Sequence, residues 1–254
     1  MRRVSDNVYA EIYFWGCNPG FLATSEGVVM FDTPQQPIDA VRWRERLLEH
    51  GPIRYLVNTE PHIDHIMGNA YFQEAEVIGQ TGLQARYEQA VPQMTSDELT
   101  LHLGNHTIQC LHIPGHTAPQ TAIYLPDEGV LFTGDNIFHR VKTYIQEADP
   151  WQWLDALKRI GEIDATVIVP GHGEPCDHRY LAEQAQIIED WVGAVEDFVR
   201  RGLTEEEALK EPAPQADPYP LGQRLFPKLD WVNGLNVSNI YRRVVARQQA
   251  AQPA

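Results

Sequence analysis

Between Asn58 and Asn69 the chain reads Asn-Thr-Glu-Pro-His-Ile-Asp-His-Ile-Met-Gly-Asn, which puts Glu60, His62, Asp64 and His65 within six positions. Carboxylates and imidazoles this crowded converge only if something positive offsets their repulsion. Imidazole nitrogen with carboxylate oxygen is the donor set of zinc, iron or manganese. The bland reading is a solvated polar loop. Three later positions bear on the choice: His116 in Ile113-Pro-Gly-His-Thr117, Asp135 in Leu131-Phe-Thr-Gly-Asp135, and His172 in Val167-Ile-Val-Pro-Gly-His-Gly173. In each, an apolar run ends, a glycine permits a tight turn, and a ligand-type residue follows, where α/β proteins place reactive groups. One histidine in that setting is more often a structural hydrogen-bonding residue. Three such positions together with the first cluster favour a metal site.

The elements around these residues alternate in type. Residues 7–15, 21–24 and 27–32 read as strands, and 38–49 as a helix opened by Pro37. The β-type run 54–58 delivers the chain into residues 59–65, expected as a loop. Helices are expected at 68–72, 83–90 and 150–160, and strands at 76–78, 107–113, 121–125, 130–133 and 166–169. After Pro175 the pattern turns helical: 180–199, a short helix capped by Thr204 and running through Leu209, and a last helix over about 237–248. The proline-rich stretch 211–227 cannot be regular helix. Strands alternating with helices imply a layered α/β fold. Residues 1–175 are expected to form the core, and 176–254 a helical cap in the same compact unit, placed to govern substrate choice.

Composition narrows the function. With 254 residues, 43% of them hydrophobic, the chain has enough apolar surface for a core. Its net charge of −15 and lack of a basic cluster argue against nucleic acid as partner. No run reaches membrane-spanning length and the N-terminus has no export pattern. Three scattered cysteines suggest no disulfide framework. A cytoplasmic address and a small-molecule substrate are the expectations; a homo-oligomer is compatible with them.

The order and spacing of the seven residues resemble the metallo-β-lactamase superfamily, whose pattern is His-x-His-x-Asp-His followed by His, Asp and His at strand ends. The resemblance covers roughly residues 32–175. It implies an αββα sandwich of two mixed sheets, carrying a C-terminal helical extension and a two-metal site along the sheet edge. It also implies that His62 and His116 join position 60 at the first metal, that Asp64, His65 and His172 hold the second, and that Asp135 bridges. Asp32 resembles the family's early supporting aspartate. The departure is Glu60, which stands where the family has its first histidine. A carboxylate ligates the same metals but makes the site harder, so iron or manganese competes better with zinc, the first expectation for both ions. Glu60 swinging away from the site is the alternative.

The expected chemistry is hydrolysis of an ester, lactone or thioester of a small organic molecule by a metal-bound hydroxide, with Asp64 also acting as a catalytic group. Thr117 is either a support for the ligands or a turn hydroxyl. Phe14, Trp15, Ile66, Met67, Phe138 and Tyr144 are candidates for an apolar pocket, and His139 for a site-facing residue. An iron-dependent oxidoreductase on the same fold and a non-catalytic binding protein with a degraded site are the competing readings.

Overall fold

Gly27–Phe31 is buried at every residue, so this strand must be covered on both faces. Its alternation assigns the covers: Val29 and Phe31 enter one apolar cluster, Val28 and Met30 another. The structure, a computed structural model, describes residues 1–81, 83, 93–94, 96–214 and 230–251.

The first sheet runs β1 (Arg2–Arg3), β2 (Val8–Ala10), β3 (Gly20–Thr24), β4 (Gly27–Phe31), β5 (Ile53–Val57), β6 (Glu76–Gln80) and β7 (Gln93–Met94) in that spatial order. It is antiparallel as far as β4 and parallel from β4 to β7. The second sheet contains β8 (Glu98–Leu103), β9 (His106–His112), β10 (Thr121–Leu125), β11 (Val130–Phe132) and, after the two-residue β12 (Phe138–His139), β13 (Val167–Val169). Its order is β13-β11-β10-β9-β8, antiparallel except for the β11–β13 pair. β12 pairs in parallel with β14 (His172–Gly173).

Between the sheets lie Leu22, Val57, Ile108, Ile123, Phe132 and Val169. Helix α1 (Pro37–Leu48) covers the outer face of the first sheet with Ala40, Trp43 and Leu47. On the outer face of the second, Leu131 and Ile168 meet α3 (Pro150–Gly161) and α4 (Arg179–Arg200), and the final helix, α6 (Asp230–Ala250), joins the same cluster through Val237, Ile240 and Val244. The layers are therefore αββα, as the resemblance implied. Asp149 caps α3 by accepting the Trp151 and Gln152 amides, and Thr204 with Glu207 forms a capping box on α5 (Glu205–Ala208). No helix among the described residues is long and apolar enough to cross a membrane.

Three expectations change. Residues 59–65 are not all loop: Ile63–Ile66 closes one helical turn, α2, with the Met67 amide bonded to Ile63 O at 2.9 Å. The strand expected over 7–15 stops at Ala10, because residues 11–19 leave the sheet and arch toward the ligand cluster, where the Asn18 amide bonds Gly171 O at 2.7 Å. The last helix starts earlier, at Asp230. All but the first residue of the helix expected at 83–90, and most of the proline-rich stretch, lie outside the described residues.

One polar knot joins the sheets. Glu128 accepts from Ser5 Oγ (2.6 Å), Asn7 Nδ2 (2.7 Å) and the Asn7 amide (3.2 Å), and meets His106 Nε2 at 2.8 Å. Burial disfavours its charge, but these bonds prevail and hold its pKa down at about 2. Glu128→Gln should cost about 1–2 kcal/mol at pH 7, read from urea unfolding of the metal-loaded protein. Because the folded pKa is depressed, the wild-type advantage is complete above the ordinary 4.5 and fades as pH falls toward 2. The gap between variant and wild type should therefore narrow at pH 3, and an equal gap at both pH values would contradict the assignment.

Candidate metal centre

Each of the seven residues sits where an element of the sandwich ends. β5 leads to Glu60 and His62, α2 carries Asp64 and His65, and β9 runs into the turn that ends at His116. Asp135 follows β11, and His172 opens β14. All seven come together, in two sets. Glu60, His62, His116 and Asp135 have one donor atom each within 4.8 Å of one another, and so do Asp64, His65 and His172. Asp135 lies between the sets. Its Oδ1 is 3.2 Å from His65 Nε2, and its Oδ2 is 3.4 Å from His172 Nε2 and 3.7 Å from His116 Nε2. Asp64 Oδ2 is 3.2 Å from His172 Nε2.

Glu60 is fully buried and points into the cluster. Its Oε1 accepts the Asp135 amide at 3.1 Å, and its Oε2 lies 2.5 Å from His62 Nδ1. Behind the donors, Asp32 takes the Thr59 amide (2.8 Å) and hydroxyl (2.7 Å) and meets His65 Nδ1 at 2.9 Å, which leaves His65 Nε2 facing the cluster. Asp32 adopts φ +54°, a left-handed conformation that costs free energy and persists here because three contacts hold the carboxylate in place. His116 is held through its amide, which donates to Asn136 Oδ1 at 3.0 Å. His172 stacks on Phe138, with ring centroids 5.4 Å apart and planes 3° apart. The glycines have two different reasons. Gly134 turns left-handed at φ +51°, as a tight turn requires, whereas any Cβ at Gly171 would strike the Asp135 carboxylate.

The donor set fits divalent metal. Glu60 Oε2, Asp135 Oδ1 and His65 Nε2 are buried and crowd against neighbouring donor groups at 2.5–3.7 Å, yet none makes a well-aligned hydrogen bond, which native interiors rarely tolerate. The electrostatics agree. Burial opposes a cationic His62 or His172, yet the surrounding carboxylates prevail and raise both to about 10. Against the same burial, His65 and His172 pull Asp64 down to about 2. A cluster that draws protons this strongly would draw metal ions in their place.

The cluster floors a cavity of about 560 Å³ lined by Trp15, Ile63, Phe138, Val141, Tyr144 and Trp231. Of the apolar candidates, Trp15, Phe138 and Tyr144 reach it. Phe14 instead packs edge-on against Trp43 beneath the first sheet. His139 turns away: its Nδ1 bonds Glu174 O at 2.6 Å and its ring meets Tyr180. Thr117 is a turn hydroxyl that donates to Gln120 Oε1 at 3.2 Å. Three residues with no spacing signal escaped sequence reasoning: Trp231, which arrives from α6, and Lys142 and Glu147, from the loop before α3. Lys142 is only 4% exposed, lines the cavity and makes no ion pair among the described residues.

An αββα sandwich with a cluster of imidazoles and carboxylates at its edge defines the class of fold. The metallo-beta-lactamase superfamily model matches residues 12–93 and 78–172, and the chain belongs to that family. Among its relatives, the hydroxyacylglutathione hydrolase of Pelagibacter ubique is 32% identical over 124 residues, 47% of this chain and 52% of that protein. The chain thus spans about half the length of the first curated relatives it matches. The type 2 metallo-beta-lactamase of Bacteroides fragilis is 26% identical over 213 residues, 75% of this chain and 85% of that one. A metallo-beta-lactamase family protein from Thermus thermophilus shares the fold, with a TM-score of 0.72 at 17% identity, covering 98% of this chain and 96% of its own.

Proposed function

We propose that the protein is a metal-dependent hydrolase of a small ester, lactone or thioester that carries an anionic group beside an apolar body. The observation that supports this most is the pair of donor sets meeting at Asp135 on the floor of an apolar cavity. Glu60, His62 and His116 would hold one ion, Asp64, His65 and His172 the other, with Asp135 shared. Divalent cations held there would acidify a water and polarise a carbonyl. Asp64 lines the cavity, so its carboxylate is the chain's group for orienting the attacking water and taking its proton. Trp15, Phe138, Tyr144 and Trp231 enclose the apolar body and exclude bulk water. The relatives named hydroxyacylglutathione hydrolase and metallo-beta-lactamase support the carbonyl class. The segment 176–254 acts as the selecting cap, since α6 supplies Trp231 to the cavity wall.

Lys142 supports the anionic group, because a largely buried cation with no ion-pair partner among the described residues gains most from a ligand that supplies one. Lys142→Met should raise KM for an anionic substrate about ten- to a hundredfold and leave a neutral analogue within about threefold, since a charge-assisted bond is worth about 1.5–3 kcal/mol. Steady-state kinetics on the matched pair measures this.

The founding test is a panel of thioesters, lactones and esters assayed with protein loaded with zinc, iron or manganese. Turnover that disappears on chelation is the expected result. No turnover with any loaded metal, or oxygen uptake with iron, would overturn the reading.

A further inference from the structure

The loop joining β12 to α3 forms one cavity wall, and it is shaped from outside by α6. Asn236, fully buried, accepts the Ile145 amide at 2.7 Å and donates to Thr143 O at 2.9 Å, as a neighbouring strand would. One turn further, Asn239 Nδ2 donates to Ile145 O at 2.5 Å and to Ala148 O at 2.8 Å. Another turn on, Arg243 donates to Glu147 O at 2.9 Å and pairs with Asp149 at 3.2 Å. The spacings of three and four residues put all three side chains on one helix face. The loop's backbone bonds thus go to the helix.

What this arrangement delivers is the Glu147 carboxylate. Its Oε1 lies 2.7 Å from His62 Nε2, while His62 Nδ1 faces Glu60 Oε2 at 2.5 Å and His116 Nε2 at 3.3 Å. His65 has the same division, with Nδ1 on Asp32 and Nε2 toward the cluster. We propose that Glu147, aimed by the Asn236–Asn239–Arg243 face of α6, is the positioning residue of His62. It fixes the ring's plane and tautomer so that Nδ1 is the atom offered to the first metal position. The inference rests on the metal reading above. An exposed ion pair would contribute little. This one is two-thirds buried on the Glu147 side and 14% exposed at His62, and its backbone is clamped on either side.

A carboxylate behind a ligating histidine typically governs metal affinity ten- to a hundredfold. The test titrates cobalt(II), read by visible absorption, in two backgrounds: His172→Ala, which retains the first set, and His116→Ala, which retains the second. Glu147→Ala should weaken cobalt binding about ten- to a hundredfold in the first background and less than about threefold in the second. Glu147→Gln, which still accepts a hydrogen bond, should restore part of the loss. Unchanged affinity in the His172→Ala background, or equal losses in both, would overturn the proposal, equal losses being what a loosened wall produces. Wild-type protein that binds no cobalt would overturn the metal reading itself, a different and recognisable failure.

Discussion

Asp135→Ala should lose metal from both positions at once and slow hydrolysis by at least about a thousandfold, close to 4 kcal/mol of transition-state stabilisation. The other six candidates each belong to one donor set. Asp135 has an oxygen toward His65 and an oxygen toward His116 and His172, and its amide anchors Glu60. Removing the carboxylate leaves four histidines and two acids with nothing between the sets. The side chain is almost wholly buried, so water replaces it poorly. Plasma mass spectrometry beside a kinetic assay measures both consequences. Two metals per chain with an unchanged rate would refute the shared-ligand assignment, and loss of one metal would make Asp135 a ligand of a single set.

The second large effect is expected at Glu60, where the chain departs from the family's pattern. Glu60→Ala removes a buried donor and leaves the Asp135 amide unbonded. The first metal position should weaken about a hundredfold or more, as for loss of a direct ligand rather than a supporting residue. Glu60→His should keep the metal but change its identity. In the wild type each set offers two imidazoles and one carboxylate, with Asp135 lying between them, so the two halves are chemically alike. An added imidazole softens the first half and should move competition between zinc and manganese toward zinc. Metal content after growth or dialysis in equal zinc and manganese reads this out. A Glu60→Ala protein with full metal at both positions would show that the carboxylate is not a ligand. The sequence had left open a Glu60 that swings away. Its full burial and its bond to the Asp135 amide hold it inside the cluster.

Much of this architecture is legible in the sequence because its causes are local. Continuous apolar runs such as Val28–Phe31 and Val130–Phe132 carry the strand signal within a few residues. Asp149-Pro150 and Thr204 through Glu207 carry helix starts in the same way. The candidate donors were visible because their types and spacing are unusual, and because each follows such a run. The helical turn at Ile63–Ile66 was missed because four residues are too short for a periodic signal. The early end of the first long strand was missed because residues 11–19 follow contacts to Gly171 and neighbouring atoms, which no local pattern encodes.

By itself, then, the sequence determined the layered fold, the seven residues worth testing and the one that departs from the family, since each depends on neighbours along the chain. Only the tertiary structure decided that Glu60 stays inside the cluster, that Gly171 is glycine for the sake of Asp135, and that Lys142, Glu147 and Trp231 lie at the site at all. The reason is physical. Glu147 meets His62 across eighty-five positions. It is aimed there by a helix whose contacts to the loop span more than ninety, and such pairings leave no trace in the spacing of residues along the chain.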